Sequence, residues 1–246
     1  MGLVHVGSKE ERKNLMFTLP KDETLHPKRQ PKNFFIYGAT MSGKSFFSSY
    51  FPHPLVLNTD GNSAQGTAPS IQIRNVRNKD GSLKKGCIEQ LDEIITALQQ
   101  PGVTFQTIVV DVTEDICTMI EQEICMAHGV RTIGDIPYGT GYAELSACIQ
   151  QFVMDLKALP MNIIYISREL EIVDDQGKTK TMPALKSRYY NIVNGNCDLV
   201  VRTFKIGDQH YRTIVDKRAD YNAEDIEDKR IRQLLESCQN MFKKSK

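Results

Sequence analysis

The segment Gly38-Ala39-Thr40-Met41-Ser42-Gly43-Lys44-Ser45 constrains this chain more than any other. Its pattern, G-x-x-x-x-G-K-[ST], follows the apolar run Phe34-Phe35-Ile36-Tyr37, which reads as a strand, and leads into a helix over Lys44 to Tyr50. A glycine-rich turn between strand and helix lets successive backbone N–H groups close around a phosphate. In that setting a lysine reaches the β and γ oxygens and a Ser or Thr hydroxyl ligates magnesium. The sequence therefore predicts a site for ATP or a close relative with Mg2+. Its binding stretch is Gly38, Ala39, Thr40, Met41, Ser42, Gly43, Lys44, Ser45 and Phe46, and Ser45 is a metal ligand.

The remaining pattern supplies a fold for that turn. Leu55-Val56-Leu57 reads as a strand after Pro52 and Pro54, and Gly86 to Gln100 carries a helical apolar stripe closed by Pro101-Gly102. Thr107-Ile108-Val109-Val110 is a continuous apolar strand ending at Asp111. Helices are predicted over Ile116 to His128, stopped by Gly129, and over Tyr142 to Leu159. Asn162 to Ile166 is a further buried strand, and 168–182 reads as a projecting hairpin around Asp174-Asp175-Gln176-Gly177. Strands over Leu199 to Thr203 and Tyr211 to Val215 flank a turn at Gly207-Asp208, and a helix capped by Asn222 runs to about residue 242. Apolar strands alternating with helices imply an α/β fold with a mostly parallel sheet flanked by helices. The expected organisation is an N-terminal arm over 1–32, a nucleotide-binding core over 33–220, and a C-terminal helix with a basic tail over 221–246.

Composition narrows the function. The chain has 246 residues, enough for one sizeable core, and a net charge of +1, which gives no global basic field for nucleic acid. Contact with DNA would have to be local. Cys87, Cys117, Cys125, Cys148, Cys197 and Cys238 show no C-x-x-C pair and no zinc spacing, so they are expected to be reduced, mostly buried thiols. Met1-Gly2-Leu3-Val4-His5-Val6 begins as a myristoylation signal does but has Val6 where Ser or Thr is needed. No apolar run is long enough to span a membrane, and a cytoplasmic location is expected.

Around the nucleotide, Asp111 at the end of its strand is the expected second metal-site residue. Val112 follows it, where many such ATPases carry a glutamate as base. Asp60 is the first candidate for that base, on the expectation that strand 55–57 lies beside the phosphate-loop strand, and Glu114 is the second. Ser167 or Arg168, closing the strand 162–166, is the candidate γ-phosphate sensor.

The order of these motifs, phosphate loop, Asn58-Thr59-Asp60-Gly61, Asp111, Tyr138-Gly139-Thr140-Gly141-Tyr142 and Ile163-Ile164-Tyr165-Ile166-Ser167-Arg168, resembles phage-encoded RecA-like ATPases over roughly residues 33 to 218. Such proteins commonly carry Asp-Thr-Glu-Gly where this chain has Asn58-Thr59-Asp60-Gly61, which maps the catalytic glutamate onto the shorter Asp60 and implies slow hydrolysis. The resemblance implies a RecA-like core and a phage protein in its host cell. It also implies a homo-oligomer, with Lys217 and Arg218 completing the site across a subunit interface. It implies single-stranded DNA as partner, held by 129–141 (Arg131, Tyr138) and 168–189 (Arg168, Lys178, Lys180, Lys186, Arg188, Tyr189), in recombination or replication. A nucleotide-gated interaction module and a small-molecule kinase are the alternatives on the same core.

Overall fold

The computed structural model describes residues 19–62, 66–173 and 177–242. The opening of the N-terminal arm, the tip of the 168–182 hairpin at 174–176 and the basic tail at 243–246 lie outside the described residues.

Strands alternate with helices along the chain. Strand β1 (Asn33–Gly38) leads into helix α1 (Lys44–Ser49), followed by β2 (Pro54–Asn58), β3 (Ser70–Gln72) and a small ribbon of β4 (Val76–Arg77) with β5 (Leu83–Lys85). Helix α2 (Cys87–Leu98), β6 (Thr107–Asp111), α3 (Thr113–Ala127), α4 (Thr140–Ala158), β7 (Asn162–Val173), β8 (Thr179–Pro183) and α5 (Ser187–Asn194) come next. The chain closes with β9 (Leu199–Ile206), β10 (Gln209–Lys217) and α6 (Lys229–Glu236). The main sheet runs β10-β9-β1-β7-β6-β2-β3, with β8 paired to β7. Its pairings are parallel except at β10–β9 and β7–β8.

The apolar runs are continuous because both faces are covered. Phe35, Tyr37, Ile108, Val110, Ile163 and Tyr165 face a cluster shared with α2, α3, α4 and α5. Their neighbours Phe34, Ile36, Val109, Ile164 and Ile166 face the other cluster, with Phe47 of α1 and with Ile231 and Leu235 of α6. Phe34 and Phe35 are both fully buried, each contributing about 1.5–3 kcal/mol of hydrophobic stabilisation. The α/β fold with a mostly parallel, helix-flanked sheet is thus as the pattern predicts.

Three details differ from the expectation. First, β2 does not lie beside β1: β6 and β7 stand between them, and β1 pairs with β7 and β9. Second, α3 starts at Thr113, so Glu114 and Asp115 occupy its first turn, where carboxylates suit the positive end of the helix dipole. Third, no single helix runs from Asn222. A short 3-10 turn (Ala223–Asp225) comes first, and α6 begins only where the Asp228 side chain accepts from the N–H groups of Arg230 and Ile231. Residues 221–242 are not a separate appendage either, since Tyr221, Ile226, Leu235 and Met241 belong to the cluster under β1. At the arm's inner end, Asp198 accepts from the backbone N–H groups of Lys32 and Asn33, at 2.9 Å each.

Candidate functional site

The parallel strands deliver their C-terminal ends to one edge, and the register fixes what meets there. Gly38 stands level with Arg168 on β7 and Thr203 on β9. Asp111 stands level with Asn58 on β2 and Ile166 on β7. Such edges of open α/β sheets are where ligands bind.

The phosphate loop bulges out between Gly38 and α1 on left-handed backbone at Met41 (φ 62°) and Gly43 (φ 92°). At Gly38 the reason for glycine is space: a Cβ would overlap the Thr203 carbonyl and the Ser42 and Thr203 hydroxyls. Those two hydroxyls bond each other at 2.6 Å and pin the loop to β9. Lys44 Nζ donates to the carbonyls of Gly38 and Ala39, 2.8 Å each, so its ammonium lies across the loop. Burial lowers the Lys44 pKa, opposed by the carboxylates of Asp111 and Glu114. Ser45 Oγ donates to Asp111 Oδ2 at 2.7 Å, bridging α1 to β6. Burial raises the Asp111 pKa; the Ser45 bond and Lys44 pull it down while Asp60 pushes it further up.

One hydroxyl and one carboxylate oxygen in contact at the phosphate edge suit magnesium, which keeps several waters and takes few protein ligands beside phosphate oxygens. Ser45 and Asp111 would hold it. Among the described residues no group of three or more His, Cys, Asp or Glu forms an independent metal cluster.

Residues 30–225 match the model of a family described as an AAA domain. This chain belongs to the AAA domain family. No curated protein matches it. AAA domains typically bind ATP with magnesium.

Glu114 projects from the first turn of α3 toward β7. Its Oε1 accepts from the Arg168 N–H at 2.8 Å, whereas its buried Oε2 has no hydrogen-bond partner among the described residues. Burial raises the Glu114 pKa, against the pull of the Arg168 N–H. Asp60 is placed differently. It lies at the end of β2 in an Asx-type turn, with Oδ1 and Oδ2 accepting from the Asn62 backbone N–H and side-chain amide at 3.0 and 2.6 Å. Ser167 is fully buried and donates to the Arg168 carbonyl at 3.1 Å. Arg168 forks onto both oxygens of Asp115 at 2.8 Å each, and Thr59 donates to the same carboxylate at 3.0 Å. That fork holds the Asp115 carboxyl below its ordinary pKa.

Lys217 and Arg218 are not brought to this edge. β10 runs antiparallel to β9, so Lys217 stands level with Leu199 at the opposite end of the sheet. Lys217 Nζ donates to the Met241 carbonyl and pairs with Asp220, both at 3.3 Å. Arg218 is spent on the carbonyls of Cys197 and Gly195 and on Asp198.

Of the segments expected to meet DNA, 129–141 folds into two 3-10 turns that leave Tyr138 exposed on left-handed backbone (φ 60°). The 168–182 hairpin does project, as β7 and β8. Tyr189, by contrast, is buried in the core below α5 and offers no stacking face.

Two residues escape the sequence reading. His210 on β10 reaches the phosphate loop, Nδ1 donating to the Ser42 carbonyl at 3.1 Å. Arg202 on β9 pairs with the buried Glu169 of β7 at 2.6 Å, tying together the two strands that flank β1. Neither lies in a motif, and only the register of the β9–β10 and β7–β1–β9 pairings brings them in. All six cysteines are free, five of them buried. No described helix is long and apolar enough to cross a membrane.

Proposed function

We propose that this AAA domain is a magnesium-dependent ATPase of the phage RecA-like kind, acting as a homo-oligomer on single-stranded DNA in recombination or replication. The observation that carries the ATPase reading is the contact of Ser45 with Asp111 beside Lys44 and the buried Glu114. Bound magnesium would supply Lewis-acid neutralisation of charge on the β and γ oxygens. Lys44 adds a mobile cation to the same oxygens, and the loop N–H groups fix the β-phosphate.

Glu114 is the better general base of the two carboxylates. Once ionised, the Glu114 carboxylate takes the proton of the attacking water as the new oxygen–phosphorus bond forms. The bond from the γ-phosphorus to the bridging oxygen then breaks, leaving ADP and inorganic phosphate. Asp60, with both oxygens engaged by Asn62, shapes the field around Asp111 instead. Arg168 reports on the γ-phosphate, because its backbone holds Glu114 while its guanidinium holds Asp115.

For DNA, Tyr138 supplies an exposed ring for base stacking, and Arg131 and the β7–β8 hairpin supply cations. The test is ATP turnover with and without single-stranded DNA, beside Tyr138→Ala. DNA-stimulated turnover that Tyr138→Ala reduces, with basal turnover kept, supports the reading. Turnover indifferent to DNA removes the DNA role. Tight Mg-ATP binding without turnover replaces it by a nucleotide-gated interaction module, and phosphoryl transfer to a nucleoside replaces it by a kinase.

A further inference from the structure

The direction in which a nucleotide must lie can be read from α1. With about 3.6 residues per turn, Ser45 points to one side of the helix, and Gly43, Phe46, Phe47 and Tyr50 share the other. Ser45 faces Asp111 of β6, so the metal and γ-phosphate side is the β6 side. The opposite side is bordered by β10. A Cβ at Gly43 would sit 3.2 Å from the His210 ring, and the Arg212 guanidinium stacks 4.7 Å above the Phe47 ring. A triphosphate seated in the loop with its γ end toward Asp111 must send its nucleoside toward β10.

On that side the surface is unlike a solvated helix. Phe46 is 59% exposed and Tyr50 42% exposed, and their rings meet edge to face at 4.8 Å. Neither belongs to the buried clusters that hold α1 to the sheet. Of these two nearly perpendicular rings one can take a base face to face while the other borders its edge, and with an imidazole anchored at the N-terminal end of the helix they form a stacking shelf. His210 contributes orientation: Nδ1–H is committed to the Ser42 carbonyl, which fixes the ring beside the loop.

We propose that Phe46 and Tyr50, with His210 at the end of the shelf, form the base-binding half of the nucleotide site and receive a purine ring by stacking. The inference rests on the nucleotide reading of the phosphate loop and adds to it which side the base occupies and what chemistry selects it. A fused purine covers more of an aromatic face than a pyrimidine does, so the shelf favours purine over pyrimidine triphosphates.

Calorimetric binding of Mg-ATP, Mg-CTP and Mg-tripolyphosphate to the full chain tests this, comparing wild type with Phe46→Ala, Tyr50→Ala and Lys44→Ala. Base stacking on an aromatic ring predicts that Phe46→Ala weakens ATP about tenfold, narrows the gap between ATP and CTP, and leaves tripolyphosphate unchanged. Tyr50→Ala is expected to act in the same direction. Because both side chains lie outside the core, an unchanged thermal melt separates this loss from unfolding. An equal loss of ATP and tripolyphosphate, or no loss of either, overturns the shelf. If instead Lys44→Ala binds ATP and tripolyphosphate as wild type does, the phosphate-loop reading itself fails.

Discussion

At Glu114 the demands of folding and of chemistry oppose each other. Burial raises its pKa and so disfavours the ionised form, whereas the proposed general base must be ionised. Turnover is therefore expected to rise with pH through that raised value. Glu114→Gln should lower turnover about 100-fold or more with Mg-ATP binding retained, whereas Asp60→Asn should cost far less. The stability consequence has a definite sign. A carboxyl whose folded pKa is raised stabilises the fold below its unfolded pKa, and that contribution is lost as pH rises through the folded one. Glu114→Gln should accordingly melt higher than wild type at neutral pH, with the gap closing toward pH 4, the ordinary carboxylate range. At this scale the sequence was informative about kinds of residue and poor at ranking them. Asp60 and Glu114 are both acidic, and only the Asn62 bonds on one and the burial of the other distinguish them.

Elements were legible where local chemistry decides them. Gly129 ends α3 as its spacing predicts: its φ is +66°, and the N–H groups of Gly129 and Val130 return to the carbonyls of Met126 and Cys125. Gly129→Ala is expected to cost about 1 kcal/mol in chemical denaturation, although nothing lies near its added methyl. The start of α6 was misread because Asn222 and Asp228 are both good caps, and the choice between them is made by packing. Ile226 is buried between the two, which holds the chain off the helical path until Asp228. Removing that cap with Asp228→Ala should cost about 1 kcal/mol, and Asn222→Ala measurably less. Strand neighbours were not legible either: a crossover can place β7 and β6 between β1 and β2, so the expected adjacency of strand 55–57 to the phosphate-loop strand rests on a neighbour relation that the chain order does not encode.

For the whole molecule, the sheet divides its work between its two ends. The C-terminal edge gathers Lys44, Ser45, Asp111, Glu114 and Arg168, and the N-terminal edge, where Lys217 and Arg218 are tied to carbonyls, closes the structure. Residues beyond 220 complete the cluster beneath β1, so ending the chain before Tyr221 is expected to abolish folding rather than trim an appendage. Leu235→Ala, at a fully buried site, should cost about 2–5 kcal/mol. The proposed function requires the phosphate loop and the Ser45–Asp111 pair to act together as an ATP-hydrolysing centre. Its most direct test is steady-state ATP turnover by the full chain with and without magnesium, beside Lys44→Ala. Turnover that requires magnesium and is lost in Lys44→Ala is the predicted result, and turnover that survives either change would contradict it.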